Sequence, residues 1–104
     1  MEDSAEKDFD AIIHYLMTNY SHASATKAVL AIKKKILSLE KFPESNPVYH
    51  KSSGKRNLTY RYIVAKKVHR IIFTILVEDL RVIISRITHA RADKGGIIRS
   101  LEEE

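Results

Sequence analysis

The sequence predicts an α+β domain: an antiparallel helix hairpin packed on a small antiparallel β-sheet, followed by a short C-terminal helix or tail. Three observations predict it. Apolar residues recur at three- and four-residue steps as far as Leu39, the period drops to two from Leu58 onward, and short turn-forming stretches separate the segments. A chain of 104 residues, 44% hydrophobic and 30% charged, makes one domain spanning 1–104 with one modest core.

The first helix is expected over residues 4–20, where Ala5, Phe9, Ile12, Ile13, Leu16 and Tyr20 form one stripe. Asp3 or Ser4 can cap its start, and Glu6 lies near the positive end of the helix dipole. Ser21 to Ser24 break the pattern and offer a new N-cap. A second helix over 24–41 places Ala25, Ala28, Val29, Ile32, Ile36 and Leu39 on one face. Its other face is basic, with Lys27, Lys34 and Lys41 at seven-residue intervals, which reads most simply as a solvated surface. Phe42-Pro43 ends this helix, because a residue before proline is pushed out of the helical region.

Residues 43–57 hold both prolines and Gly54 and read as loop, with Val48 to His50 available to pair briefly at a sheet edge. Three strands follow, over 58–66, 68–77 and 80–88, joined by turns at Lys66-Lys67 and Glu78-Asp79. In the last strand simple alternation puts Arg86 with Val82 and Ile84, and Ser85 with Ile83 and Ile87. Neither face of these strands is purely polar, so helices should cover one side and leave the other partly open. Gly95-Gly96 break the chain before a terminal helix around Ile97, Ile98 and Leu101.

Charge is distributed unevenly. The net charge is +5, but Asn46 to Arg99 alone carry twelve Lys and Arg against Glu78, Asp79 and Asp93. All seven arginines lie between Arg56 and Arg99. A basic half of this kind suits a polyanionic or acidic partner. No apolar run approaches the ~20 residues that span a bilayer, so no membrane partner is expected. The acidic N-terminus has no apolar signal core, and the chain has no cysteine, which fits a cytoplasmic protein. His14, His22, His50 and His69 show no metal-ligand spacing, and there is no glycine-rich phosphate loop, so no cofactor is expected.

Several stretches, in this order and spacing, resemble the RelE/ParE superfamily, the toxins of bacterial type II toxin–antitoxin pairs often labelled plasmid stabilisation proteins. Ser4-Ala5-Glu6-Lys7-Asp8 with Ile12 and Tyr15 is similar to the family's helix-one opening, and Leu39-Glu40-Lys41-Phe42-Pro43 to its helix-two exit. Tyr60-Arg61-Tyr62-Ile63-Val64 and His69-Arg70-Ile71-Ile72-Phe73 resemble its paired strands with an arginine in each. Ile87-Thr88-His89-Ala90-Arg91 resembles the His-x-Arg ending of its last strand. Members usually open with an apolar strand, whereas here only Met1-Glu2-Asp3 precede the first helix. The expectation is therefore a three-stranded sheet with an extra open edge, through which a homodimer or a borrowed strand could pair. Of the three accounts of the missing strand, a start codon placed too far downstream and a decayed gene are jointly favoured over a borrowed strand.

The resemblance implies growth inhibition by one of two routes. ParE-like members bind and poison DNA gyrase without catalysis. RelE-like members act as mRNA interferases, cutting mRNA on the ribosome, which requires a base, an acid and cations around the scissile phosphate. On the RelE-like pattern Arg61, Arg70 and Arg91 fall at basic positions, with His89 as a candidate acid or base. Arg86 joins them as a candidate target- or RNA-binding residue. A second basic position is occupied by Ile63, and Ile97-Ile98 stand where the pattern has a C-terminal tyrosine. The depleted set favours the gyrase-binding route, with the endoribonuclease as alternative and a degenerate, non-toxic binding module as the third reading. The partner implied is a cognate antitoxin whose acidic amphipathic segment neutralises the basic surface.

Overall fold

A computed structural model describes residues 1–53 and 57–103. Gly54, Lys55 and Arg56, in the expected 43–57 loop, and Glu104 at the end lie outside the described residues. The elements run α1 (Asp3–Asn19), α2 (His22–Ser38), β1 (Val48–Lys51), β2 (Thr59–Ala65), β3 (His69–Leu76), β4 (Arg81–His89) and α3 (Lys94–Glu102). The α+β architecture read from the periodicity is present. Among the described residues no helix is long and apolar enough to cross a membrane.

Both ends of the helix hairpin have identifiable causes. Helix α1 begins one residue before the expected cap: Glu2 holds the N-cap position without a side-chain bond, and its carbonyl accepts Glu6 N–H at 3.0 Å. Ser21 caps α2, its hydroxyl accepting from Ser24 N–H at 3.2 Å, so this helix starts at His22 and not at Ser24. It stops at Ser38, where the Ser38 hydroxyl donates to the Lys35 carbonyl at 2.6 Å and the chain tightens into three-residue turns through Lys41. Phe42 then adopts φ 51°, which completes the break before Pro43.

The sheet is a four-stranded antiparallel meander in the order β1-β2-β3-β4. The brief edge expected near Val48 is a true strand, pairing His50 with Tyr60 and Lys51 with Thr59, so the count of three strands is corrected to four. Two layers cover the sheet. Ala5, Ile32, Leu39, Ala65, Ile71, Phe73, Ile84 and Ile87 form the core beneath α1 and α2. Tyr49, Tyr60, Ile72, Ile97 and Leu101 form a second core beneath α3. The terminal helix begins at Lys94 because the Asp93 carboxylate caps Gly96 N–H at 3.0 Å; Gly95 and Gly96 therefore sit in its first turn and do not break it.

Strand β4 is irregular in a way simple alternation misses. Ile72 faces Arg86 but Phe73 faces Ile84, so Ser85 is an extra residue forming a β-bulge. Beyond the bulge the faces exchange, and Arg86 no longer lies with Val82 and Ile84 as alternation predicted. Its guanidinium instead binds Asp8 of α1 through Nε at 2.7 Å and a terminal nitrogen at 3.1 Å, and donates to Ser100 Oγ of α3 at 2.6 Å. The same carboxylate accepts Ile87 N–H at 2.9 Å. Glu2 N–H donates to the Ile84 carbonyl at 2.8 Å, so the edge expected to be open is partly covered between Ile84 and Ile87.

The β2–β3 turn carries strain that a substitution can relieve. Lys66 and Lys67 have φ 49° and 61°, and Val68 N–H closes the turn on the Ala65 carbonyl at 3.0 Å. Two central residues with positive φ favour Asn-Gly, whereas a lysine Cβ is crowded there. Lys66→Asn with Lys67→Gly should stabilise the protein by about 1–2 kcal/mol, raising Tm by roughly 4–10 °C. A melting temperature unchanged or lowered in the double variant would show that the lysines make compensating contacts.

Candidate functional site

The basic strand residues divide between the two faces of the sheet. Arg70 pairs with Thr88 and Val64, and so points to the α3 side with Tyr62 and Ile72. Arg61 pairs with Phe73, on the side of α1 and α2, and donates to the Asn46 carbonyl at 2.7 Å. His89 pairs with His69 on that same side. Arg91 lies exposed just beyond β4, its backbone N–H bonded to His89 Nδ1 at 3.0 Å. Arg86 is engaged with Asp8 and Ser100. The five residues singled out in the sequence thus do not converge on one point.

What does converge is a cluster around Arg70. Its guanidinium carbon lies 5.4 Å from the ring centroid of Tyr49 and 5.0 Å from that of Tyr62, and these two rings meet edge-to-face at 6.0 Å. A guanidinium held between aromatic faces is fixed in direction. Lys94 Nζ stands 5.1 Å from the Tyr49 centroid, bringing a second cation from the first residue of α3. Burial raises the Tyr49 phenol above its ordinary value against the opposing pull of Arg70, so it remains a protonated donor at neutral pH. Neither Tyr49 nor Lys94 was singled out in the sequence; Tyr62 and Arg70 share a face only in the observed register, in which Ala65 pairs with His69.

The histidine pair lies beneath the helix hairpin. The rings of His69 and His89 meet edge-on at 6.4 Å, and burial, followed by the proximity of His89, lowers the His69 pKa below its ordinary value. His69 is therefore neutral at physiological pH. His89 uses Nδ1 to accept from the Arg91 backbone N–H. Among the described residues no group of three or more metal-ligating side chains comes together.

A further surface is apolar. An open groove of about 670 Å³ runs between the end of α2 and the β3–β4 hairpin, lined by Ile36, Leu37, Leu39, Ile75, Leu80 and Val82. Leu80 in its lining is 89% exposed and takes φ 51°. An exposed leucine in a left-handed conformation is costly for both solvation and backbone, a combination that accompanies interaction surfaces.

Over residues 1–94 the chain matches the family described as ParE toxin of type II toxin-antitoxin system, parDE. It belongs to the ParE toxin family. The match takes in both helices, all four strands and the start of α3, so the likeness seen in separate stretches extends across the fold. Membership of a type II toxin–antitoxin family implies a cognate antitoxin as partner. No curated protein and no solved structure gives a significant match.

Proposed function

We propose that this ParE-family protein is a growth-inhibiting toxin that acts in the bacterial cytoplasm by binding an essential target such as DNA gyrase, and that its cognate antitoxin neutralises it. The family match over residues 1–94 carries the reading. Two features of the fold support binding over RNA cleavage. Arg70 and His89 project to opposite faces of the sheet, so a phosphate at the arginine lies out of reach of that imidazole as acid or base. The apolar groove beside α2, with the exposed Leu80 in its lining, suits a protein surface or the apolar face of an amphipathic antitoxin segment.

The test is a gyrase supercoiling assay with the full chain. Inhibition with trapped cleavage complexes, relieved by the C-terminal peptide of the cognate antitoxin, is the expected result. Undiminished supercoiling, combined with codon-associated cuts in mRNA mapped by primer extension, would replace this reading with the endoribonuclease.

A further inference from the structure

Two large apolar side chains of this chain are exposed on left-handed backbone, and both adjoin the groove beside α2. Leu80 lies in its lining. Phe42, bonded to the lining residue Pro43, is 74% exposed and also takes φ 51°. The other described residues with positive φ are Asn57, Lys66 and Lys67, none of them apolar. Leu37, in the lining as well, is 66% exposed. For folding alone, Asn or Gly would suit positions 42 and 80 better, since the backbone is strained there for an L-residue and the side chain stays in water. Strain and apolar exposure at one groove point to contact with another molecule.

The charge around this groove identifies the partner's chemistry. The chain as a whole carries +5, yet Glu40 and Glu44 line the groove against Arg81 alone. Glu78 and Asp79 directly precede Leu80 in the exposed connection between β3 and β4. Among the described residues none of these four carboxylates is held in an ion pair. Lys41, between Glu40 and Glu44 in sequence, offsets only part of their charge. An acidic segment, the kind expected of the antitoxin, meets like charge here, as does a nucleic-acid backbone. A segment with apolar side chains flanked by Lys or Arg meets apolar lining and opposite charge. We propose that this groove docks the toxin's protein target through such an apolar, basic segment, with Leu80 as the anchor, while the acidic antitoxin segment binds the basic surface elsewhere. The inference rests on the reading of the chain as a toxin that acts by binding, and it assigns the groove to the target.

Induced expression of the full chain in a bacterial host, read as colony counts, tests it together with antitoxin affinity. Asn enters the left-handed region readily, so Leu80→Asn should melt at or above the wild-type temperature, and its loss of toxicity is not a loss of fold. Wild type should arrest growth. Leu80→Asn, and separately Glu40→Lys with Glu44→Lys, should restore colony counts at least ~10-fold, as removal of a binding anchor or its charge complement does. Arg81→Glu makes the groove more acidic and should arrest growth at least as strongly as wild type. All of these variants should bind purified full-length cognate antitoxin within about threefold of the wild-type Kd. Undiminished arrest by Leu80→Asn would overturn the docking site and leave the toxin reading standing. A loss of antitoxin affinity of ~10-fold or more in the same variant would overturn it too, by giving the groove to the antitoxin. Weaker arrest by Arg81→Glu would overturn the basic character of the partner. A wild type that leaves growth unaffected would overturn the toxin reading itself, and this inference with it.

Discussion

Asp8→Ala should destabilise the protein by about 2–3 kcal/mol and lower Tm by roughly 10–20 °C. The carboxylate joins three elements. It accepts two bonds from Arg86, at 2.7 Å and 3.1 Å, and a third from Ile87 N–H at 2.9 Å, while Arg86 continues to Ser100 of α3. The side chains are only 17% and 22% exposed, so water does little to screen the pair. Removing the carboxylate takes the counter-charge from a half-buried guanidinium and the acceptor from an edge-strand amide, and these losses exceed the value of an exposed surface pair. Asp8→Asn keeps an acceptor for Ile87 and should cost about half as much. In a double-mutant cycle with Arg86→Met, the combined loss should fall short of the sum by at least ~1 kcal/mol. Additive losses, or an Asp8→Ala variant melting within about 3 °C of wild type, would show that the clamp contributes little.

The same region explains why the fold was readable and the site was not. The helix stripes and the alternation from Leu58 to Leu76 come from burial on one face, a strong and local signal, so the elements were legible to within a few residues. Which arginines share a face depends on register, and a one-residue change reverses it. With Lys66-Lys67 as a two-residue turn, Arg61 would lie on the same side as Arg70. Val68 joins the connection, Ala65 pairs with His69, and the two arginines separate. Near the β3–β4 turn Leu76 pairs with Arg81 and Phe73 with Ile84, a register that would bring His89 to the face of Arg70. Ser85 bulges, and His89 crosses to the opposite face. Nothing in the alternation of Val82, Ile84 and Arg86 announces the extra residue. It arises where the strand meets Asp8, 78 residues earlier than Arg86. The Tyr49–Arg70–Lys94 cluster was hidden for a related reason: it joins β1, β3 and α3, and no local pattern states how these elements are placed against one another.

Phe73→Ala should be the most damaging single truncation, costing about 3–5 kcal/mol. Phe73 is fully buried and the largest such side chain among the described residues, in the core shared by β3, β4 and both long helices. A domain of this size has total stability on the order of 5–15 kcal/mol, so the variant should be partly or wholly unfolded near 37 °C. Leu101→Ala, at a site 2% exposed, removes a comparable aliphatic contact from the other face, yet its consequence should be local. Helix α3 is nine residues, held by Ile97 and Leu101, by Ser100 on Arg86, and by Glu102, which accepts from His50 at 2.6 Å and from Ser52 at 3.2 Å. An element anchored by so few contacts can detach while the main core persists. Hydrogen exchange should therefore accelerate across Lys94–Glu102 in Leu101→Ala with β3 amides still protected, and accelerate everywhere in Phe73→Ala. Loss of β3 protection in Leu101→Ala would mean that the two cores fold as one cooperative unit. In that case the Arg70 side of the sheet could not be uncovered without unfolding the toxin.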